Sequence, residues 1–220
     1  MNHPLATYID HTLLKPEATT EQIRMLCQQA RTYGFASVCV NSRYASLVHA
    51  LLEESEVRTC CVVGFPLGAM YTEAKAAEAR LAVEAGADEI DMVMCIGAAK
   101  EGDWQTVCTD MHAVVEAAHP SIVKVILETC LLTDEEIVQA CRCAQKAGAA
   151  FVKTSTGFHT AGAREADIAL MRRTVGDTMK IKASGGIRTY EQALRMLHAG
   201  ADRLGVSNSI AIMQQAMRQA

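Results

Sequence analysis

The sequence has few aromatic residues: only 5% of its 220 residues are Phe, Trp or Tyr, although half are apolar. A hydrophobic core must therefore be built from Ala, Val, Ile, Leu and Met, which are numerous enough for an ordinary soluble core. No apolar run has the length that crosses a membrane. The start, MNHPLATYID, lacks the long apolar stretch of a secretory signal. We therefore expect a cytoplasmic protein with no membrane partner.

A large excess of either charge is also missing, since the formal net charge is -4 and the basic residues are spread along the chain. Nucleic-acid-binding proteins usually have a basic patch or stripe, so we expect no nucleic-acid partner. The nine cysteines include no paired C-x-x-C knuckles, and the seven histidines are scattered without ligand-like spacing. The sequence thus predicts no metal site, and cysteines that are reduced thiols rather than disulfides.

The chain does contain a weak internal repeat of a helix end, a glycine and a short apolar strand. Four copies are clearest: YGFASVCV, AGADEIDMV, AGAAFVKTS and AGADRLGVS. Extended along the chain, the pattern predicts strands near residues 8–13, 37–40, 59–63, 89–94, 123–127, 151–153, 180–182 and 203–205. A helical pattern follows each strand, which favours an α/β protein with one (β/α)8 TIM barrel over residues 1–220. An open doubly wound sheet is the alternative, although no G-x-G-x-x-G follows the first strand.

Charged residues recur on one face of the predicted strands. Successive strand side chains point to opposite faces, so the apolar positions should pack against helices and the others should face the barrel interior. The inward set comes from five strands and comprises Asp10, Asp91, Lys124, Glu128, Lys153 and Lys182. Barrel interiors usually hold Val, Ile and Leu, and the active sites of this fold lie at strand C-terminal ends. We interpret the set as catalytic, with ion pairs at the rim and no chemistry as the alternative.

The lysines of this set favour covalent chemistry on a carbonyl substrate. A lysine inside a barrel can form a Schiff base if it attacks as the neutral amine. A neighbouring cation disfavours the ammonium form, and Lys182 lies one strand beyond Lys153. A carboxylate such as Asp91 can then transfer protons as general acid and base.

The ends of the last two strands predict a phosphate site. KASGGIR provides consecutive backbone N–H groups at Gly185 and Gly186, and GVSNS puts Ser207 where the last helix begins. Loops after strands seven and eight, with a helix N-terminus, form the usual phosphate site of this fold. Arg188 is a candidate for neutralising the phosphate, unless it only lies at the surface. A tight turn without a ligand is the alternative for the glycine pair.

Seven motifs in one order make the chain resemble the deoxyribose-phosphate aldolase family of class I aldolases: YIDHTLLKP, CVVGFPLG, GADEIDMV, KVILET, FVKTSTGF, KASGGIR and RLGVSNS. The resemblance implies reversible cleavage of 2-deoxy-D-ribose 5-phosphate to acetaldehyde and D-glyceraldehyde 3-phosphate, with no metal or organic cofactor. It puts the Schiff-base lysine at Lys153, the proton-transferring aspartate at Asp91 and a second essential lysine at Lys182.

The resemblance also extends the predicted substrate site. Asp10 and Thr12 match positions that line the family's site, and Lys124 and Cys39 match residues near it. The complete predicted set for substrate binding is Asp10, Thr12, Cys39, Lys124, Thr156, Gly157, Gly185, Gly186, Arg188, Ser207 and Asn208. The expected partners are small phosphosugar and aldehyde substrates, and a homodimer or higher homo-oligomer is left open.

Two segments depart from the family pattern. The usual TSTGFSTGGAT reads TSTGFHTAGAR here, with His159, Ala161 and Arg164, and Asn208 replaces the second of two serines. Asparagine still offers its backbone N–H, so we expect phosphate binding to survive, whereas the changed loop affects substrate range and loop closure. Another Schiff-base barrel enzyme, such as a transaldolase-like aldolase, and a non-catalytic phosphosugar-binding barrel are the remaining alternatives.

Overall fold

The structure, a computed structural model, describes residues 4–219, and in this range eight parallel strands close into a barrel in the order of the chain. The strands are β1 Ile9–Leu13, β2 Ser37–Asn41, β3 Arg58–Val63, β4 Glu89–Val93, β5 Ile122–Ile126, β6 Phe151–Lys153, β7 Lys180–Ser184 and β8 Arg203–Val206. β8 pairs with β1 and completes the cylinder. The predicted (β/α)8 barrel is confirmed. That it extends over all of residues 1–220 stays a prediction, because residues 1–3 and 220 lie outside the described range.

Helices surround the barrel and connect its strands. They are α1 Thr20–Tyr33, α2 Ala45–Leu52, α3 Thr72–Glu84, α4 Ile96–Glu101, α5 Trp104–Ala118, α6 Asp134–Ala147, α7 Glu165–Val175, α8 Tyr190–His198 and α9 Ser209–Gln219. Short 3₁₀ turns cover Pro4–Tyr8, Ser42–Tyr44 and Thr129–Leu131. Within residues 4–219, no helix combines the length and apolar character that a membrane crossing requires.

Side-chain caps fix where several helices begin. Before α6, the Thr133 hydroxyl accepts a hydrogen bond from the Glu136 backbone N–H, and the Glu136 carboxylate accepts one from the Thr133 N–H. This reciprocal pair is a capping box, and it satisfies two N–H groups that the helix cannot bond internally. Thr189 begins α8 in the same way. Fixed helix starts determine where each strand-to-helix loop must end.

The strands bury two different kinds of side chain on their two faces. One face of β4 presents Ile90 and Met92 to the surrounding helices, where both are fully buried in the main hydrophobic core. Its other face carries Glu89, Asp91 and Val93. The core therefore lies between sheet and helices, as expected from the strand alternation, whereas the barrel interior holds charge.

The thiol prediction is wrong at one pair of cysteines. Cys108 on α5 and Cys143 on α6 form a disulfide with their Cα atoms 4.8 Å apart. The two helices pack side by side and bring together residues that are 35 positions apart in the chain, a proximity that no local motif signals. The other seven cysteines are free thiols.

Candidate active site

Lys153 is the last residue of β6, the shortest strand of the barrel, and its side chain is only 3% exposed. Its neighbours in the sheet are Ile126 of β5 and Lys182 of β7. The Lys153 ammonium donates a hydrogen bond of 2.7 Å to the Asp91 carboxylate of β4, across the interior. The buried lysine of FVKTSTGF therefore does face a polar interior.

Asp91 is the centre of a cluster of three lysines. Its Oδ2 atom accepts hydrogen bonds from Lys153 at 2.7 Å and Lys182 at 2.6 Å. Its Oδ1 atom accepts one from Lys124 at 2.7 Å and lies 3.2 Å from the Cys60 thiol. The carboxylate is completely buried, so these contacts replace its hydration.

A second layer of ion pairs lies below this cluster, toward the N-terminal ends of the strands. Arg203 of β8 contacts Asp10 at 2.6 Å and Glu89 at 3.0 Å, and Lys124 contacts Glu89 at 2.7 Å. Asp10 also pairs with Lys182. The sequence analysis missed Glu89 and Arg203, although both have the inward parity of Asp91 and that signal could have found them.

The ion-paired groups around Asp91 and Arg203 carry one more positive than negative charge when every one is ionised. Three carboxylates face four cations: Asp10, Glu89 and Asp91 against Lys124, Lys153, Lys182 and Arg203. An uncompensated buried charge is costly. Glu128, a completely buried carboxylate just beyond the end of β5, brings the number of buried anions here to four.

Electrostatics holds the partners of Lys153 in their charged forms. Burial alone would raise the pKa of Asp91, but Lys124, Lys153 and Lys182 outweigh it and keep that pKa well below its usual range. Burial alone would lower the pKa of Lys182, but the Asp10 and Asp91 carboxylates raise it above the ordinary lysine value. Burial alone would also lower the pKa of Lys124, but nearby carboxylates, Asp91 above all, raise it above the ordinary lysine value. Lys182 is thus a fixed cation beside Lys153.

A cavity of about 420 Å³ opens above Lys153 at the C-terminal end of the barrel. Seven of the residues predicted for substrate binding line it: Thr12, Thr156, Gly157, Gly185, Gly186, Arg188 and Ser207. Lys153 is the member of the charged cluster that borders it. The cavity gives a substrate direct access to the Lys153 amine.

The remaining predicted binding residues lie elsewhere. Asp10, Cys39 and Lys124 are completely buried in the barrel interior below the cavity. Asn208 is exposed, and its side chain donates a hydrogen bond of 3.3 Å to the Arg188 backbone carbonyl. A direct substrate contact for these four residues stays a prediction.

Three residues in this interior have ligand atoms close enough for a metal ion. The sulfur atoms of Cys39 and Cys60 and an Asp91 oxygen lie within 4.8 Å of one another. Three ammonium groups already bond Asp91, and they would repel a divalent cation at this position. The donor set thus fits ion pairing with lysine better than metal binding.

Two cavity residues, Lys15 and Phe158, were missed by the sequence analysis. Lys15 lies just beyond the end of β1, where this fold usually carries functional side chains. Phe158 is 51% exposed and packs edge-on against Phe65, with ring centroids 5.2 Å apart. Lys15 and Arg188 add two basic side chains to the cavity lining, and Phe158 adds an aromatic one.

The loop after β6, which carries His159, Ala161 and Arg164, packs onto the glycine loop after β7. The Ala163 N–H donates to the carbonyls of Ser184 at 3.0 Å and Gly185 at 3.1 Å. Arg164 forms a two-pronged contact with Asp167 in the first turn of α7 and does not line the cavity. The arginine that departs from the expected pattern thus stabilises a helix start.

Comparison with known proteins finds matches over nearly the whole chain. A family model described as DeoC/LacD family aldolase matches residues 5–215. A deoxyribose-phosphate aldolase from Clostridium tetani is 56% identical over 209 residues, covering 94% of this chain and 97% of that protein. One from Streptococcus gordonii is 57% identical over 210 residues, covering 96% of each.

A solved structure agrees with these sequence matches. A deoxyribose phosphate aldolase from Aeropyrum pernix, described as tetrameric, superposes with a TM-score of 0.92 at 35% identity. The superposition covers 98% of this chain and 92% of that one. All seven motifs of the sequence analysis lie inside the range that the family model matches.

Proposed function

The chain belongs to the DeoC/LacD aldolase family, and from this premise we propose that it is a class I, metal-independent aldolase. Its reaction is the reversible cleavage of 2-deoxy-D-ribose 5-phosphate to acetaldehyde and D-glyceraldehyde 3-phosphate. The observation that carries the proposal is the position of Lys153, a buried lysine that borders the cavity and bonds the Asp91 carboxylate. The relatives named deoxyribose-phosphate aldolase support the choice of substrate.

The reaction begins with attack of neutral Lys153 on the aldehyde carbon of the open-chain sugar. The resulting carbinolamine loses water and becomes an iminium ion. The C3 hydroxyl then gives up its proton and the C2–C3 bond breaks, with its electrons moving to C2 to form an enamine. Glyceraldehyde 3-phosphate leaves, C2 takes up a proton, and hydrolysis of the iminium releases acetaldehyde and regenerates the amine.

Lys182 has the role of favouring the neutral form of Lys153. Both ammonium groups bond the same Asp91 oxygen, and the carboxylates keep Lys182 charged. Two neighbouring cations disfavour each other, so the charge on Lys182 favours the neutral amine form in which Lys153 must attack.

Asp91 has the role of proton acceptor and donor. Its pKa is held low by three ammonium groups, so it is a weak base while all three are charged. Conversion of Lys153 to a neutral amine removes one of these cations and makes Asp91 more basic when protons must move. General acid–base catalysis of this kind contributes about 10²–10⁴-fold to a rate.

The phosphate has its binding site on the side of the cavity formed by the glycine loop after β7. Gly185 and Gly186 line that side without side chains, and both have positive φ, of 83° and 78°. Ser207 lies just before α9, whose N-terminal N–H groups and dipole favour an anion. Lys15 and Arg188 add two cationic side chains at the rim.

Trapping with borohydride tests the proposal. Treatment of the enzyme with 2-deoxyribose 5-phosphate and borohydride should leave a two-carbon adduct on Lys153. Mass spectrometry of peptides detects this adduct. Lys153→Met should neither trap nor turn over, while Lys182→Leu should keep its fold and lose most turnover. Absence of an adduct with any carbonyl substrate would favour a non-catalytic phosphosugar-binding barrel. Another aldehyde pair among the products would favour a transaldolase-like enzyme, and loss of activity with EDTA would contradict metal independence.

The assembly and the cellular location are part of the same proposal. We infer a homodimer or higher homo-oligomer, a choice supported by the relative described as tetrameric. Light scattering on the purified protein at several concentrations tests it, and a strictly monomeric mass would contradict it. The cytoplasmic location stays a prediction, to be checked by fractionation of expressing cells.

A further inference from the structure

We propose that Glu128 is a positioning residue that holds the phosphate side of the cavity in place through Thr156. Glu128 follows the end of β5 and is completely buried. Its φ is +58°, and it is the single non-glycine residue with positive φ between residues 4 and 219. Such a backbone conformation is strained for a residue with a side chain and persists where the surroundings hold it, often at functional sites.

Backbone hydrogen bonds hold Glu128 against the end of β6. On one side of it, the Leu127 N–H donates to the Lys153 carbonyl at 2.9 Å. On the other side, the Thr129 N–H donates to the Thr154 carbonyl, also at 2.9 Å. The strained residue is thus fixed at both ends to the segment that carries the proposed Schiff-base lysine.

The Glu128 side chain accepts hydrogen bonds from one residue of the loop after β6. Its two carboxylate oxygens accept from the Thr156 backbone N–H at 3.3 Å each, and one accepts from the Thr156 hydroxyl. Among residues 4–219, no lysine, arginine or histidine forms an ion pair with it. A buried carboxylate without a cation depends on its hydrogen bonds for stabilisation. The hydrogen bonds from Thr156 are therefore the main polar contacts of the Glu128 side chain.

A further hydrogen bond and close packing connect Thr156 to the cavity wall. The Thr156 hydroxyl, its proton donated to Glu128, accepts the Phe158 N–H at 3.1 Å and so shapes the turn around Gly157. A Cβ on Gly185 would lie 3.5 Å from the Gly157 Cα and 3.0 Å from the Gly162 Cα. The loop after β6 therefore packs directly against the glycine loop that borders the proposed phosphate site.

This arrangement assigns Glu128 an indirect role. It does not line the cavity, whereas Thr156, Gly157 and Gly185 do. Loss of the Glu128–Thr156 hydrogen bonds should let the loop after β6 shift and should misplace the Gly185 backbone. Lys153 should keep its hydrogen bond to Asp91 and its strand neighbours. The role rests on the proposed aldolase function, and it concerns recognition of the phosphate group rather than formation of the Schiff base.

The test compares Glu128→Gln with the wild type on two substrates, 2-deoxyribose 5-phosphate and unphosphorylated 2-deoxyribose. Glutamine keeps the shape but turns an amide N–H₂ toward donors on Thr156, which breaks one of their bonds. We expect kcat/KM for the phosphorylated sugar to fall about tenfold or more, mainly through KM, the size typical for loss of a charged hydrogen bond. The value for the unphosphorylated sugar should change much less. Glu135→Gln, the same change at an exposed residue of α6, is the matched control.

A second pair of variants separates positioning from folding. Thr156→Val should reproduce the loss of phosphate preference, Thr156→Ser should restore it, and the double variant Glu128→Gln with Thr156→Val should be no worse than the poorer single one. An equal fall for both sugars would mean a general structural role, and an unchanged ratio would also overturn the proposal. Failure of the aldolase function itself would appear separately, as absence of borohydride trapping in the wild type.

Discussion

Lys153 and Lys182 share a single carboxylate oxygen, because Asp91 Oδ2 lies 2.7 Å from one ammonium and 2.6 Å from the other. The two lysines are direct register partners on β6 and β7. Lys182 has Asp10 as a second partner, whereas Lys153 contacts the cavity instead. This asymmetry decides which amine is free to react, and it depends on Asp91 remaining charged.

Asp91→Asn should therefore disable turnover and weaken the fold. Removal of the shared carboxylate leaves three buried lysines with one anionic partner fewer, and breaking a buried ion pair costs about 3–5 kcal/mol. Loss of the acid–base group should lower kcat by about 10²–10⁴-fold. Urea unfolding and single-turnover kinetics measure the two effects.

The matched control is Asp103→Asn, at the exposed cap of α5. It should cost a little stability and leave kcat unchanged. Full turnover in a folded Asp91→Asn variant would contradict the role of Asp91 in proton transfer.

The charged interior could be predicted from the sequence because parity is a local property. Asp91 and Lys153 alternate with buried apolar neighbours, so their direction follows once the strand is placed. The Glu128–Thr156 contact could not be found in this way, because it joins two loops whose approach depends on barrel closure and on a strained backbone at Glu128. The Cys108–Cys143 disulfide could not be predicted for a similar reason, since it depends on how two helices pack.

His11 should make the protein less stable as the pH falls from 7 toward 5. Its ring lies 2.9 Å from the Ser209 hydroxyl and 2.9 Å from the Gln29 side-chain oxygen, and burial lowers its pKa more than the Gln29 contact raises it. An unfolded histidine takes up its proton near pH 6.5. The unfolded state therefore binds more protons just below that pH, and stability is lost there, by about 1.4 kcal/mol for each unit of pKa shift.

Urea unfolding at pH 5, 6 and 7 checks this sign. The decline in unfolding free energy should become smaller in His11→Gln, which has no titrating ring. The same decline in wild type and variant would assign the acid sensitivity to other groups.

Reduction of the Cys108–Cys143 disulfide should lower stability without changing activity. The bond closes a loop across α5 and α6, and neither cysteine lines the Lys153 cavity. The loop-entropy model gives about 4 kcal/mol for a loop of this length as an upper value. Thiol labelling in denaturant should find seven reactive cysteines before reduction and nine after it. Nine before reduction would instead restore the thiol prediction of the sequence.

Phe158 should limit the size of the aldehyde that the site accepts. The Lys153 cavity and a second cavity of about 510 Å³ share two lining residues, Leu14 and Phe158. Phe158 is kept in this wall by its edge-on contact with Phe65. Phe158→Ala should therefore join the two cavities and give an unphosphorylated aldehyde with a long apolar tail, such as 3-phenylpropanal, a place beside Phe65.

In the synthetic direction, kcat/KM for 3-phenylpropanal relative to glyceraldehyde 3-phosphate should rise about tenfold in Phe158→Ala, the lower end of what added apolar contact in a pocket provides. Leu67→Ala is the control, because Leu67 is 66% exposed and lines neither cavity. If both variants shift the ratio equally, general loosening of the rim explains the change. A rise confined to Phe158→Ala identifies the aromatic wall as the part of the site that selects the acceptor.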